Sequence, residues 1–174
     1  MSQPTILITG ASRVIATVRH VTAQQEERLH SLSCGQGSKV IVLPLDMNVA
    51  SSITEGVALL KDEFGITTLD LVIANAGICD TFGPVAKISE DEMLKHFEVN
   101  TVGLLRLFKA TIPLLGVSEE SKLVYISTSV ASISQLNTWS ITTEYGISKM
   151  AGNFLMKMIS IEHSNVIALS ISPG

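Results

Sequence analysis

Short β-branched runs alternate with longer amphipathic stretches along most of the chain, and this alternation constrains the fold more than any other feature. It is typical of an α/β domain in which helices cover both faces of a parallel sheet. The chain has 174 residues, 46% of them hydrophobic and 16% charged, which suits one domain with one core. We therefore predict a single doubly wound, three-layer α/β/α domain over residues 1–174. The predicted strands are Thr5–Thr9, Lys39–Leu45, Leu69–Ala74, Lys122–Ser127 and Asn165–Ile171.

The stretches between these runs carry helix start signals. Ser52 with Glu55, and Ser89 with Glu92, have the spacing of a capping box, in which each side chain accepts a hydrogen bond from the other residue's backbone N–H. Apolar residues then recur at helical spacing. The predicted helices run from Ser52 to a stop at Gly65, from about Glu90 toward Leu115, and from about Thr143 to His163.

The segment Val14–Val18 conflicts with this pattern. Its β-branched residues favour a strand, yet only Gly10–Arg13 separate it from the strand that ends at Thr9. Parallel neighbours need a crossover of about a dozen residues, so this segment either pairs antiparallel or joins a helix that continues through Thr22–Leu32. A parallel core needs such a crossover, and for that reason we favour the helix.

Composition and spacing argue against several classes of protein. No apolar run approaches the ~18 residues of a membrane span, and the start lacks the basic region of a secretory signal, so a cytoplasmic protein is expected. The net charge of −4 comes without a basic run, so a nucleic-acid partner is not expected. Cys34 and Cys79 stand apart, which predicts no disulfide. The four histidines form no H-E-x-x-H spacing, so no metal ligand is expected among them.

The sequence places a tyrosine and a lysine where they can act on a carbonyl group. Tyr145 and Lys149 are separated by one helical turn, so the phenol and the ammonium lie on the same helix face. A neighbouring cation stabilises a phenolate, and we expect it to lower the pKa of Tyr145 from about 10 toward working pH. Such a phenol can give a proton to a carbonyl oxygen as hydride arrives, or take one from an alcohol.

Polar and small residues also follow several strands, where ligands of open α/β sheets bind. The hydroxyl cluster Ser127–Ser129 follows one strand, and the tripeptide Asn75–Gly77 follows another. The first strand ends in a turn, Thr9–Arg13, that contains a glycine and is expected to lead into a helix whose N-terminus binds a pyrophosphate.

These motifs occur in the order found in the short-chain dehydrogenase/reductase family, which the chain resembles from Thr5 to Gly174. The resemblance is carried by TGASR, Asp46 after LPL, NAG, Asn100 in EVNTVG, the hydroxyls after VYI, YxxxK and a terminal Pro-Gly. The segments ATVRH and YGISKMAGNFL are similar to fungal ketoreductases of the norsolorinic acid ketoreductase type. The resemblance implies a Rossmann-like fold and NAD(P)-dependent transfer of hydride between a cofactor and a small carbonyl or alcohol substrate.

The resemblance assigns roles to the catalytic positions. Tyr145 would be the acid/base, and Lys149 would lower its pKa while holding the nicotinamide ribose. Asn100 would be the helix-interrupting asparagine of a proton relay. Thr128 stands at the position of the substrate-orienting serine, although Ser127 or Ser129 could take that part.

The resemblance also assigns a cofactor site. Asp46 would contact the adenine, and Arg19 would favour the 2′-phosphate, so NADP(H) is expected over NAD(H). If Val14–Val18 is helical, Arg19 leaves that position. The remaining positions of the family's cofactor site, besides Tyr145 and Lys149, are Gly10, Ser12, Arg13, Ile15, Asn75, Ala76, Gly77, Pro173 and Gly174.

The chain departs from the family at its first turn. The family has TGxxxGxG, then a full helix, then the second strand, whereas here Val14 and Ala16 occupy the later glycine positions and the first crossover is disrupted. The sequence also ends at Gly174, before the segment with which the family covers its substrate. Two interpretations therefore stay open, an active NADP-dependent ketoreductase and a catalytically impaired chain that retains association helices. In either case the resemblance implies a homodimer or homotetramer.

Overall fold

The computed structural model describes residues 5–9, 13–32, 35–117, 120–137 and 140–173, with residues 5–9 described for the backbone alone. The strands are β1 (Thr5–Thr9), β2 (Arg13–Val18), β3 (Lys39–Pro44), β4 (Leu71–Ala74), β5 (Lys122–Ile126) and β6 (Ile167–Ile171). The α-helices are α1 (Ala23–His30), α2 (Ala50–Asp62), α3 (Glu90–Phe97), α4 (Gly103–Leu115) and α5 (Thr143–Glu162). Among the described residues no helix is both long enough and apolar enough to span a bilayer.

The strands form one sheet in the order β3-β2-β1-β4-β5-β6. β2 pairs parallel with β3, and β4, β5 and β6 pair parallel with one another. Parallel connections cross over in a right-handed sense, so α1, which leads from β2 outward to β3, lies on the opposite face from α4 and α5, which lead toward β6. The predicted α/β class and Rossmann-like sheet are confirmed.

The first strand is reversed. β1 pairs antiparallel with both β2 and β4, with Thr9 opposite Arg13 in the register. Val14–Val18 is therefore a strand, and our preference for a helix there was wrong. The physical reason is burial. Ile15 is 0% exposed and pairs with Ile41, so the β-branched side chains of Val14–Val18 are stabilised more by packing in the sheet than they would be on a helix. The crossover to β3 is made by α1 alone.

The two serines predicted to cap helices, Ser89 and Ser52, have different roles in the structure. Ser89 is the N-cap of α3, and its side chain accepts a hydrogen bond from the backbone N–H of Glu92. Ser52 is not a cap, because α2 already begins at Ala50. Instead, the Ser52 hydroxyl accepts a hydrogen bond of 3.0 Å from the backbone N–H of Asp46, which fixes the loop after β3.

The helix expected over about Glu90–Leu115 is continuous but contains one wide turn. α3 and α4 are joined by a π-helical segment, Glu98–Val102, in which backbone hydrogen bonds skip one residue further than in an α-helix. Such turns are frequent at functional sites, and this one holds Asn100.

The core lies between the sheet and the helices α2, α4 and α5. Leu123 and Tyr125 of β5 point into it and are almost completely buried. On the other face of the sheet, Ile167, Leu169 and Ile171 of β6 are 43–44% exposed. The described helices therefore cover one face of β6 more completely than the other.

Candidate active site

The ends of the parallel strands bring most of the predicted site residues to one edge of the sheet. Strands β2 to β6 run in the same direction, so the residues that follow them meet at this edge, which we call the carboxyl edge. The residues that follow these strands are Arg19 after β2, Asp46 after β3, Asn75–Gly77 after β4, Ser127–Ser129 after β5 and Pro173 after β6.

The tyrosine and the lysine of the YxxxK motif lie together on the first turns of α5. The Lys149 side chain is buried, and its Nζ lies 5.8 Å from the centre of the Tyr145 ring and 4.5 Å from the centre of the Tyr125 ring. Lys149 Nζ donates a hydrogen bond of 2.7 Å to the carbonyl oxygen of Ile126, at the end of β5. The lysine is thus held between two aromatic rings at the carboxyl edge.

The structure distinguishes among the three hydroxyls after β5. Thr128 lies close enough to the Tyr145 side chain to lower the pKa of its phenol, and Thr128 Oγ1 accepts a hydrogen bond from the backbone N–H of Val130. The Ser127 hydroxyl is buried without a hydrogen-bond partner, and Ser129 is exposed. Thr128 is therefore the hydroxyl that the fold places beside the phenol.

Asn100 connects the loop after β4 to α5. Its Oδ1 accepts from the backbone N–H of Ile78 at 2.9 Å, and its Nδ2 donates to Ile78 O at 3.0 Å and to Ser148 Oγ at 2.9 Å. Its own backbone carbonyl accepts a hydrogen bond of 3.1 Å from the Tyr125 hydroxyl. Asn100 thus joins the loop after β4 to the part of α5 that carries Tyr145 and Lys149.

The glycine of the NAG tripeptide is required by close packing. A Cβ atom at Gly77 would lie 2.9 Å from Asn100 Oδ1 and 3.2 Å from Lys149 Nζ. Both of these atoms are buried and held by hydrogen bonds, so they have little room to move. A side chain at Gly77 would therefore displace the lysine from the site.

Burial has the largest effect on the pKa values of Tyr145 and Lys149. The pKa of Lys149 is lowered to about 8, mainly because its ammonium is removed from water. The pKa of Tyr145 is raised from its ordinary value, first by burial and then by the nearby Cys79 thiol, while the Thr128 hydrogen bond lowers it. Our expectation that the pKa of Tyr145 would be lowered toward working pH was wrong, because desolvation of the phenol is the largest effect on it.

The lowered pKa of Lys149 predicts a pH dependence of stability. The folded chain binds this proton less tightly than the unfolded chain, whose lysine titrates near 10.5, so stability should rise as the pH increases above about 8. The expected gain between pH 8 and 9 is about 1 kcal/mol. Tyr145 and Cys79 have raised pKa values and act in the opposite direction, Cys79 from about pH 8 and Tyr145 from about pH 9 upward, where their unfolded forms begin to lose protons.

Urea unfolding at pH 7.5, 8.0, 8.5 and 9.0 (roughly the window in which the folded lysine loses its proton) measures this effect. Lys149→Met should remove the rise, because methionine has no proton to bind. An equal rise in both proteins would show that another group is responsible.

A cleft of about 300 Å³ opens beside this site at the ends of β2, β3 and β4. Four of the predicted cofactor residues line it, namely Arg19, Asp46, Ala76 and Gly77. Asn75 precedes two of these in the chain, and Pro173 is exposed at the same edge beyond β6. Asp46 is fixed through its carboxylate, which accepts a hydrogen bond of 2.9 Å from the backbone N–H of Asn48.

The structure does not bring the residues of the first turn to this cleft. Because β1 is reversed, its end meets the start of β2, and Arg13 lies at the opposite edge of the sheet, where it donates a hydrogen bond of 3.3 Å to Phe64 O. Ile15 is fully buried in the middle of β2. The structure therefore contradicts the predicted cofactor role of Arg13 and Ile15. Gly10, Ser12 and Gly174 lie outside the described residues.

Sequence reasoning missed two residues that organise the site. Ser148 Oγ donates a hydrogen bond of 2.8 Å to the backbone carbonyl of Tyr145. The backbone carbonyl of Ser148 accepts a hydrogen bond of 2.8 Å from Thr101 Oγ1, so Ser148 joins α5 to the π-helical turn. Tyr125 lies under Lys149 and against Gly152 of α5. The available signals were a tyrosine on the buried face of β5 and a serine one helical turn after Tyr145.

The sequence matches the short chain dehydrogenase family over residues 4–174. It is 32% identical to a norsolorinic acid ketoreductase of Dothistroma septosporum, covering 98% of this chain and 71% of that protein. The alignment spans 191 residues whereas this chain has 174, so the relative carries residues that have no counterpart here.

Solved structures share the fold. An alcohol dehydrogenase of the archaeon Thermococcus sibiricus, in complex with 5-hydroxy-NADP, superposes with a TM-score of 0.79 at 28% identity, covering 92% of this chain and 64% of that one. The NADPH-bound carbonyl reductase from chicken fatty liver superposes with a TM-score of 0.76 at 21% identity, covering 96% and 80%. Together with the Tyr145–Lys149 pair at the carboxyl edge, these matches show that the chain belongs to the short-chain dehydrogenase family of oxidoreductases and is of the fungal ketoreductase type.

Proposed function

We propose that this chain is an NADP-dependent oxidoreductase that reduces a ketone or aldehyde, or oxidises the corresponding alcohol, with Tyr145 as the acid/base. The observation that carries this proposal is the cluster of Tyr145, Thr128 and Lys149 at the carboxyl edge, next to the cleft at the ends of β2 to β4. A phenol, a second hydroxyl and a cation side by side are suited to a reaction in which negative charge develops on a carbonyl oxygen.

In the direction of reduction, Tyr145 donates its phenolic proton to the carbonyl oxygen, and Thr128 donates a hydrogen bond to the same oxygen. The nicotinamide, when bound, supplies the hydride that reaches the carbonyl carbon. The raised pKa of Tyr145 keeps the phenol protonated at neutral pH, which suits reduction. Lys149 is charged below about pH 8, and its ammonium stabilises the phenolate left after the proton has moved.

The residues present fit the two ends of NADP(H) better than its centre. The cleft offers Asp46 for the adenine, Arg19 for the 2′-phosphate, and a side-chain-free approach at Gly77. Lys149 and Tyr145 would hold the nicotinamide ribose. The reversed β1, however, brings no turn to the carboxyl edge where a pyrophosphate would meet backbone N–H groups.

The assignment of Arg19 predicts a change in cofactor preference. Arg19→Ala should weaken NADPH about tenfold or more and leave NADH nearly unchanged, because the guanidinium meets a phosphate that only NADPH carries. Arg28→Ala is the matched control, since Arg28 is exposed on α1 and does not line the cleft. Fluorescence titration of both cofactors measures the ratio, and an unchanged NADPH/NADH ratio in Arg19→Ala would reject the assignment.

The substrate class we propose is a ketone, because the fungal relatives are named ketoreductases and the superposed animal enzyme is named a carbonyl reductase. A panel of aryl and alkyl ketones, assayed by NADPH consumption, tests the proposal directly. Turnover of alcohols with NADP⁺ should accompany it at higher pH. Failure of every carbonyl, with NADPH bound, would contradict the proposed reaction.

One observation favours a second candidate, a catalytically impaired member of the family. The antiparallel β1 separates Arg13 and the end of the first strand from the cleft. In that case the chain would keep the fold and the association helices but bind cofactor weakly. The insertion experiment in the Discussion distinguishes the two candidates.

We further propose that the chain forms a homodimer or homotetramer through α3, α4 and α5. Phe154 and Ile161 are 70% and 61% exposed, and Met158 lies between them on the same face of α5. Burying such an apolar stripe in a second copy is favourable. Light scattering at micromolar concentration should give a multiple of the 18.6 kDa chain mass.

Phe154→Glu should shift that mass toward the monomer, because it places a charge in the proposed interface. Leu32→Glu is the control, since Leu32 is 56% exposed and follows α1, which lies on the opposite face of the sheet from α4 and α5. A folded monomer in the unmodified chain would contradict the proposal.

A further inference from the structure

Three potential metal ligands lie together beside the loop that follows β4. Asp80 belongs to this loop, and Glu92 and His96 are one turn apart on α3, so their side chains share a helix face. One ligand atom from each lies within 4.8 Å of the others, and no second group of this kind occurs in the described part of the chain. The loop is the continuation of the NAG tripeptide, so the cluster borders the candidate active site.

The orientation of His96 is the observation that distinguishes this cluster from an ordinary charged surface. Its side chain is 0% exposed, and its Nδ1 lies 2.8 Å from the backbone carbonyl of Glu92. A carbonyl oxygen only accepts, so Nδ1 carries a proton and donates it. Nε2 is then the second nitrogen, and it lies 3.2 Å from Asp80 Oδ1 without forming a hydrogen bond.

His96 Nε2 is therefore a buried polar atom that faces a carboxylate and has no hydrogen-bond partner. Metal-binding histidines are typically held in this way, with one ring nitrogen donating to a carbonyl and the other presenting its lone pair. In His96 the lone pair of Nε2 would point toward the oxygens of Asp80 and Glu92. A cation among these three groups would satisfy all of them.

Lys95 occupies part of this space. Its Nζ lies 2.8 Å from Asp80 Oδ2 and 3.2 Å from Glu92 Oε2, so the ammonium is the positive charge between the two carboxylates. The Lys95 side chain is 48% exposed and flexible, and it can turn into solvent without leaving a buried charge. The two carboxylates are 47% and 35% exposed, which gives a cation a path from solvent.

We propose that Asp80, Glu92 and His96 form a binding site for a divalent transition cation, best matched by Zn²⁺, which enters when Lys95 swings out. One imidazole and two carboxylates suit zinc, whereas Mg²⁺ and Ca²⁺ prefer oxygen ligands alone. Bonds of roughly 2.1 Å need the ligand atoms to be about 3.4 Å apart. Small rotations of the Asp80 and Glu92 side chains, which are 47% and 35% exposed, supply this contraction, while His96 stays fixed.

The proposed cation would stabilise the site without taking part in the reaction. It would join the loop after β4 to α3, and the same loop is held by Asn100 through Ile78. Binding to the folded chain should raise its melting temperature in proportion to the logarithm of the zinc concentration. This readout does not depend on cofactor or substrate, so it can fail or succeed separately from the proposed function.

Titration of the full chain with ZnCl₂, by calorimetry and by thermal melting, tests the proposal. We expect one ion per chain with micromolar affinity, and no shift with MgCl₂ at the same concentration. Lys95→Met should strengthen zinc binding about tenfold, because it removes the competing ammonium. If these residues form only an ion-pair network, neither the original chain nor any variant should bind zinc. That result would overturn the proposal.

Further variants identify the ligands. Asp80→Asn should weaken binding at least tenfold, and because Asp80 is exposed the variant should keep its fold. Asp91→Asn removes the same charge from an exposed position on α3 and should have little effect. Cys79→Ser should retain binding, since the neighbouring thiol is not a proposed ligand. Equal weakening by Asp80→Asn and Asp91→Asn, or loss of binding in Cys79→Ser, would contradict the assigned ligand set.

Discussion

Replacement of Tyr145 by phenylalanine is expected to lower carbonyl turnover by about 10²–10⁴-fold, the usual contribution of a positioned acid or base. The ring would stay in place beside Thr128 and Lys149, so only the transferable proton is lost. NADPH affinity and the free energy of unfolding should change little. Single-turnover reduction of a ketone, with cofactor at saturation, separates this chemical effect from binding.

The chain contains one other tyrosine, and it provides a matched control. Tyr125→Phe removes a hydroxyl that donates to Asn100 O, so it should cost about 1 kcal/mol of stability. Its effect on turnover should remain within a few fold, because the lysine still rests on an aromatic ring. If Tyr145→Phe keeps most of the turnover, or if Tyr125→Phe abolishes it equally, Tyr145 is not the acid/base.

Insertion of a family-like G-I-G turn and a helix between Arg13 and Val14 is expected to tighten NADPH binding about a hundredfold. The added crossover would allow β1 to run parallel to β2, and the first turn would then lie at the carboxyl edge. A pyrophosphate there meets backbone N–H groups and the positive end of a helix, each interaction contributing roughly 0.3–1 kcal/mol or more when partly buried. Several together amount to on the order of 3 kcal/mol, or a hundredfold in Kd.

Isothermal titration of both chains with NADPH measures this difference. A flexible Gly/Ser insertion of the same length is the control, because it lengthens the connection without providing a helix. It should leave the affinity near that of the original chain. Equal affinities in the original chain and the helix-containing variant would show that the short connection is not a lesion, and would favour the active enzyme over the impaired one.

Local sequence patterns determined the positions of most elements and of the Tyr145–Lys149 pair. The β-branched runs became β1, β3, β4, β5 and β6, and the amphipathic segment from Thr143 became α5. The spacing of Tyr145 and Lys149 placed them on one helix face, and the order of motifs identified the family. These features depend on residues within one or two turns of each other, so they can be read without knowledge of the fold.

Only the tertiary structure decided that Val14–Val18 is a strand beside an antiparallel β1, that Thr128 lies beside the Tyr145 phenol, and that the pKa of Tyr145 is raised. It also decided that His96 on α3 would face Asp80, which follows a different element. Each of these depends on neighbours that are distant in sequence. Once Val14–Val18 is a strand, β1 must pair antiparallel with it, because so short a connection cannot form a parallel crossover. A pKa is set by the balance between desolvation and charge around the folded group. Hydrophobic periodicity predicts neither a strand's direction nor a pKa, because it indicates which face of an element is apolar and not which residues pack against that face.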